Sequence, residues 1–389
     1  MTKKIIHYNI DEIDKLGASI NMIMGERSNG KSFQVKHKKG MNKYWDGCVD
    51  YHATYKDKTK VIEEIIKAKT RRFILMRRNK EEIKTSIIQQ YFADIDVVSI
   101  TDGEYNCINV YRQCIYLANY NTETFKTTNG EKIGYLVALS VEQNYAGASY
   151  LDVTDIIFEE FISRTNYLVN EPAKLMNFYC TVDRKRGTTR LWLAGNSISR
   201  VCPYFYEWGI DELVKNQKQG TIRTKWLDTG TIDEDGKKIE VLFAFEYCAD
   251  TGASSFVIGR HKKMLNSGAW QSDPQPHLSK SRKEYKKMFK IMFYYKTFKF
   301  IGEYLFDYEN KSTCWHIYPY TKNKIPKKTL IFSDIIKESV YWQRDIYSPT
   351  IKNRKIIDLL KTFKENKIFY ATDLCGTDFK QVIDFIIKK

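Results

Sequence analysis

Residues 18–32 read Ala18-Ser19-Ile20-Asn21-Met22-Ile23-Met24-Gly25-Glu26-Arg27-Ser28-Asn29-Gly30-Lys31-Ser32. Gly25–Ser32 fits the phosphate-loop pattern G-x-x-x-x-G-K-[ST] at every fixed position. Gly25 and Gly30 let the backbone curl so that the N–H groups of Glu26, Arg27, Ser28 and Asn29 can face an anion. Lys31 is placed to reach the β- and γ-phosphates of a nucleotide, and the Ser32 hydroxyl to hold Mg²⁺. The apolar stretch before the loop suits a buried parallel strand. The segment from Ser32 to about Lys39 suits a helix whose N-terminus adds positive potential at the phosphates. The competing reading is a glycine turn that happens to carry Gly-Lys-Ser.

The rest of the N-terminal half alternates strand-like and helix-like stretches. Strands are expected at 71–78, 107–118, 133–141, 154–161 and 190–195, with helices near 80–92 and 168–182. Asn129-Gly130 reads as a hairpin turn. This alternation predicts an α/β fold with a doubly wound, mostly parallel sheet. Asp155-Ile156-Ile157-Phe158-Glu159-Glu160-Phe161 has the shape of a Walker B strand, apolar residues running into carboxylates. Glu159 is the expected Mg²⁺ ligand, and Glu160 the general base that polarises an attacking water. Asp is the usual first acid, so Glu159 departs from the pattern. A solvated carboxylate pair after a core strand is the plainer alternative.

Asn196 ends the next apolar strand and is a candidate sensor of the γ-phosphate, or else a turn residue. The loop Asp183–Arg190 is densely basic. Arg184, Arg186 and Arg190 are candidates for a guanidinium inserted beside a neighbouring subunit's nucleotide, against the reading of a solvated basic turn. Arg77 and Arg78 end the second strand, where they can meet phosphate or pair with local carboxylates. Lys126 and Lys132 are candidates for a pore loop, and Tyr8 or Asn9 for contact with the base.

Charge divides the chain. From Lys237 to the end there are 29 Lys+Arg against 16 Asp+Glu, whereas the first 236 residues are nearly neutral at +3. A basic half of this kind suits a polyanionic partner, and a lysine-rich solubilising surface is the alternative. Eight cysteines without a C-x-x-C pair suit free thiols better than structural zinc. No apolar run reaches the length of a membrane span. Gly220, Thr229-Gly230 and Asp233–Gly236 mark a composition shift. The expected division is therefore a nucleotide domain over 1–205, a linker over 206–240 and a basic α+β domain over 241–389. In that last part, strands are expected at 239–247, 254–260, 297–308, 312–319 and 329–333, and helices at 334–341, 354–365 and 377–388.

With these residues in hand, the first 205 or so resemble the additional-strand, catalytic-glutamate (ASCE, RecA-like) P-loop ATPases. Within that class they are similar to viral DNA-packaging, terminase-like motors. The supporting stretches are Phe73–Arg78, Leu139–Ser149 leading into Ile156–Phe161, and Gly195-Asn196-Ser197 followed by Pro203-Tyr204-Phe205. The last of these is similar to the encapsidation ATPases of small φ29-type podophages.

The resemblance implies a homo-oligomeric ring, a pentamer, driving double-stranded DNA into a procapsid with ATP. It implies the portal or connector as partner, with a structural prohead RNA as a further one. It implies a place at the portal vertex in the cytoplasm of an infected bacterium, outside the mature virion. For the C-terminal part it implies a smaller RNase H-like domain, vestigial as a nuclease, with Glu303, Asp307 and Asp334 as relics of its acids. A cutting large terminase, another nucleic-acid translocase or helicase, and a non-catalytic ATP-binding scaffold remain as alternatives.

Overall fold

The computed structural model describes residues 8–25, 31–35, 72–145, 147–163, 167–232, 235–249, 270 and 273–322, and then 324–325, 329–335, 337–339, 341–343, 346, 353–365 and 367–387. Glu26–Gly30, the expected strand at 254–260 and the arc of the phosphate loop lie outside these residues. The chain divides into two compact units. The first comprises Met1–Ser163, Tyr167–Ser197 and Asn216–Ala269. The second comprises Arg164–Asn166, Ile198–Lys215 and Trp270–Lys389.

The first unit is built on a nine-stranded sheet in the order β3-β4-β5-β2-β6-β7-β1-β9-β8. Its strands are β1 Ile20–Gly25, β2 Arg72–Arg77, β3 Cys107–Tyr111, β4 Cys114–Asn121, β5 Lys126–Ala138, β6 Val153–Glu159, β7 Arg190–Asn196, β8 Thr221–Ile232 and β9 Lys238–Tyr247. The six central strands, from β5 to β9 in spatial order, all run parallel. Antiparallel partners close both edges. β1, β2, β6 and β7 are buried along nearly all their length and mostly apolar, because a parallel strand between two layers buries both faces. The expected parallel-rich α/β sheet is therefore present.

Three expectations in this unit need correction. The stretch 107–118 is a hairpin, β3–β4, turning at Arg112 and Gln113, both at positive φ. Asn129-Gly130 is not a turn but lies within β5. The turn falls at residues 122–125, where the Asn121 side chain accepts from the Glu123 and Thr124 N–H groups and Phe125 takes a positive φ. Gly130 answers a packing need, since a Cβ there would stand 2.1 Å from the Tyr105 ring. Finally, β8 and β9 span the expected linker and the start of the expected second domain, yet β9 pairs along β1. Apolar alternation marks such a strand but not the sheet it joins.

The second unit holds a six-stranded sheet in the order β14-β13-β10-β11-β12-β15. These strands are β10 Lys286–Tyr295, β11 Phe298–Asp307, β12 Ser312–Pro319, β13 Leu330–Ser333, β14 Trp342–Gln343 and β15 Ile368–Tyr370. β10, β11 and β12 form an antiparallel meander, and β13 runs parallel to β10. The helix Asp373–Ile387 carries Phe379, whose ring meets Phe293 at 4.8 Å and Phe300 at 5.5 Å, both edge-on. β10 was not expected as a strand. The expected helix at 334–341 is absent from the described residues of that stretch, which bend toward β14 instead. Among the described residues, no helix is long and apolar enough to cross a membrane.

Candidate active site

Parallel strands bring their C-terminal ends to one edge, and in the first unit that edge collects the residues singled out above. β7 lies between β1 and β6. Gly25, at the end of β1, is in register with Asn196 at the end of β7, and Glu159 at the end of β6 is in register with Ala194. The Ser197 N–H donates to the Gly25 carbonyl at 3.1 Å, and the Glu160 N–H to the Ala194 carbonyl at 2.9 Å. Lys31, 5% exposed, begins the helix Lys31–Val35 and donates to Asn196 Oδ1 at 3.4 Å. The Asn196 amide nitrogen donates to Glu160 Oε1 at 3.4 Å. Asn196 thus bridges the loop lysine and the second carboxylate.

Glu159 is 3% exposed and accepts two hydroxyls at 2.9 Å, Ser32 on one oxygen and Tyr91 on the other. Burial pushes its carboxyl above the usual range, while Ser32, Tyr91 and the nearby Arg77 charge pull it back. A hydroxyl beside a carboxylate is a hard-oxygen donor pair of the kind Mg²⁺ takes. These residues fit that ion. Tyr91, the last residue of the helix Thr85–Tyr91, was missed by sequence reasoning; a tyrosine ending an amphipathic stretch has no spacing signature.

The arginines separate. Arg77 stands 3.4 Å from the Glu82 carboxylate. Arg78 is buried and bonded to Glu171 and to the Glu160 and Phe161 carbonyls, so local pairing, not phosphate, accounts for its bonds. The loop 183–190 precedes β7, whereas Asn196 ends it. Six residues of strand separate the loop from its own chain's site by about 20 Å. Arg186 donates to the carbonyls of Tyr150, Leu151, Val153, Val182 and Asp183, which is a structural engagement. Arg190 pairs with Asp14 at 2.6 Å. Arg184 is exposed and donates to the Ala148 carbonyl at 2.9 Å.

Elsewhere, the Tyr8 hydroxyl donates to Glu246 at 2.8 Å, one strand over from β1, and Asn9 accepts from the Asp11 N–H. Lys126 is exposed, and the Lys132 ammonium lies 4.6 Å from the Tyr135 ring centre. Burial and the Glu12 charge push the Glu246 carboxyl up to about 7, against the Tyr8 bond. The folded state then keeps a proton that the unfolded chain loses in the usual carboxyl range. Stability present at low pH is lost as pH rises through about 7. Glu246→Gln is expected to raise stability at pH 8 by up to about 3 kcal/mol, with the gain vanishing near pH 4.5. Urea denaturation at the two pH values measures it, and an equal effect at both would contradict the assignment.

In the second unit, Glu303 is held by Arg282, Asp307 accepts from Asn310 and Lys280, and Asp334 lies 3.7 Å from Lys296. β10, one of the two central strands of that sheet, has no carboxylate, whereas β11 beside it carries Glu303 and Asp307.

The family model of the podovirus DNA encapsidation protein (Gp16) matches residues 39–219. The DNA packaging protein of Bacillus phage phi29 is 27% identical over 205 residues, 52% of this chain and 50% of that protein. That of Bacillus phage B103 is 32% identical over 141 residues, 36% of this chain and 39% of that protein. The chain therefore spans about half the length, or less, of these curated relatives. Among solved structures, the N-terminal domain of the DNA packaging ATPase from bacteriophage phi29 aligns at 24% identity, covering 61% of this chain and 94% of that one, with a TM-score of 0.41. The bacteriophage Phi-29 viral genome packaging motor assembly aligns at 19% identity, covering 97% and 99%, with a TM-score of 0.44. Over about half its length the chain is similar to the phi29-type DNA packaging proteins, the resemblance drawn from its sequence motifs.

Proposed function

We propose that this relative of the podovirus DNA encapsidation proteins is a ring-forming ATPase that drives double-stranded DNA into a procapsid at the portal vertex. One observation carries the catalytic part. Lys31, Ser32, Glu159, Glu160 and Asn196, from three separate segments, converge at the C-terminal edge of one parallel sheet. The strand β7 between β1 and β6 supports the additional-strand class of P-loop ATPase.

In this reading the loop Gly25–Ser32 cradles the ATP phosphates and Lys31 offsets their charge. Ser32 and Glu159 would hold Mg²⁺, which supplies charge neutralisation across the phosphates. Glu160 accepts the proton of the attacking water, and Asn196 orients the Glu160 carboxylate. A guanidinium completing the site comes from a neighbouring subunit, and Arg184 suits that role better than Arg186, whose donors are engaged by carbonyls of its own chain. The basic second unit grips a phosphate backbone, of DNA or of a structural RNA, or the portal rim. Its meander with a parallel fourth strand is consistent with an RNase H-like sheet. The acid-free β10 and the cation-held Glu303, Asp307 and Asp334 support a vestigial nuclease.

The test is ATP hydrolysis by the full chain, with and without double-stranded DNA and matched procapsids, read beside nuclease protection of the DNA. Stimulation by both, with DNA protected inside the shell, supports the motor. Turnover stimulated by DNA alone, without protection, would make the chain another translocase. Nicking of supercoiled DNA with Mn²⁺, lost in Glu303→Ala, would contradict the vestigial reading.

Tyr91→Phe deletes the hydroxyl that fixes Glu159 without touching the carboxylate. Loss of such an outer partner typically weakens a metal site tenfold or more. The Mg²⁺ needed for half-maximal turnover is expected to rise about tenfold, with maximal turnover largely restored at saturating Mg²⁺.

A further inference from the structure

We infer that Arg78 is a positioning residue for hydrolysis: it holds the backbone of Glu160 in the conformation that presents its carboxylate to the attacking water. The inference rests on the role proposed for Glu160, and it assigns Arg78 a task distinct from meeting phosphate or nucleic acid.

The strand β6 ends at Glu159, and the chain must turn sharply there. Glu160 sits at φ +57°, in the left-handed region that a residue with a Cβ enters at a cost. Such a conformation persists only where its surroundings hold it. The Glu160 N–H is tied to the Ala194 carbonyl. On the other side of the residue, Arg78 donates from one terminal nitrogen to the Glu160 carbonyl at 3.2 Å and from the other to the Phe161 carbonyl at 2.5 Å.

The guanidinium is itself aimed. It makes a two-pronged pair with Glu171, Nε to Oε2 at 2.8 Å and Nη2 to Oε1 at 3.0 Å. Its carbon lies 5.8 Å from the Phe158 ring centre and 5.1 Å from that of Tyr167. Arg78 is 6% exposed and Glu171 is fully buried. Glu171 also accepts the Leu168 N–H at 2.7 Å, so the acid is fixed by the start of the helix Glu171–Asp183. A planar fork with several donors can serve a carboxylate and two carbonyls at once. An ammonium, a point charge on a flexible stem, cannot hold that geometry. The β2 end, the β6 exit and the following helix are therefore joined through one side chain directly behind the proposed general base.

The test uses the full-length protein and four variants: Arg78→Lys, Glu160→Gln, the double Arg78→Lys/Glu160→Gln, and Arg72→Lys. Arg72 lies at the opposite end of the same strand, pairing with Asp152 and the Lys132 carbonyl. Turnover is expressed per site that binds a non-hydrolysable ATP analogue, so that a loss of folded protein does not count. Arg78→Lys is expected to lower this turnover about a hundredfold, as a small misplacement of a reacting group does, with analogue affinity changed less than about threefold. Arg72→Lys is expected to leave turnover per site unchanged. If Arg78 acts through Glu160, the double variant is no slower than Glu160→Gln alone. Wild-type turnover per site in Arg78→Lys, or additive losses in the double variant, would overturn the inference. Undiminished turnover in Glu160→Gln would instead overturn the reading of Glu160 on which it rests.

Discussion

Glu160→Gln is expected to lower ATP turnover by about a hundredfold or more, while an ATP analogue binds with nearly wild-type affinity. General-base catalysis contributes on the order of 10² to 10⁴ in rate. Glutamine keeps the shape of the side chain and removes its ability to take a proton. The backbone bonds that set the turn, the Glu160 N–H to Ala194 and Arg78 to the Glu160 carbonyl, do not involve the carboxylate. The Asn196 amide at 3.4 Å from Glu160 Oε1 still finds an oxygen acceptor in glutamine. In the proposed reading, binding rests on Lys31 and Ser32, which are unaltered. Single-turnover hydrolysis together with analogue titration separates the two effects. Parallel losses in binding and turnover would point to a structural role for Glu160.

The meeting of these residues at one edge was legible because they obey short spacings. Gly25–Ser32 is a local pattern, and Ile156–Glu160 is an apolar run that ends in acids. Parallel strands then place both at one edge without further instruction. Tyr91 and Arg78 were harder to read. Tyr91 reaches Glu159 across 68 positions of sequence and Arg78 reaches Glu171 across 93, and such pairings follow from packing, which no periodicity reports. β10 escaped notice for a different reason. Its first half, Lys286-Lys287-Met288-Phe289-Lys290, is mostly exposed and charged, while its second half is buried on both faces. One strand that changes environment midway shows neither clean alternation nor a full apolar run. The place of β9 beside β1 was hidden because strand propensity is silent on partners.

The second large effect concerns the strand between the two motif strands. Trp192 of β7 is fully buried, and its indole nitrogen donates to Asp155 of β6 at 3.0 Å. Asp155 is itself fully buried and also accepts the Thr154 hydroxyl at 2.7 Å. Across the sheet, Trp192 is in register with Asn21 of β1 on one side and Ile157 of β6 on the other. A slip of one residue would reverse every side chain of β7 and carry Asn196 off the active edge. Trp192→Ala is expected to cost about 3–5 kcal/mol, the range for emptying a large aromatic site. Trp192→Phe retains most of the apolar contact but withdraws a donor from a buried carboxylate, at about 1–3 kcal/mol. If that bond dominates, Trp192→Phe combined with Asp155→Leu should be less destabilising than the two single losses added together, because no acid is then left short of its donor. Urea denaturation of the four proteins measures the coupling. A double variant that merely sums the single losses would mean that Trp192 stabilises β7 by its volume alone, and that the register of β7 is held by its backbone ladder.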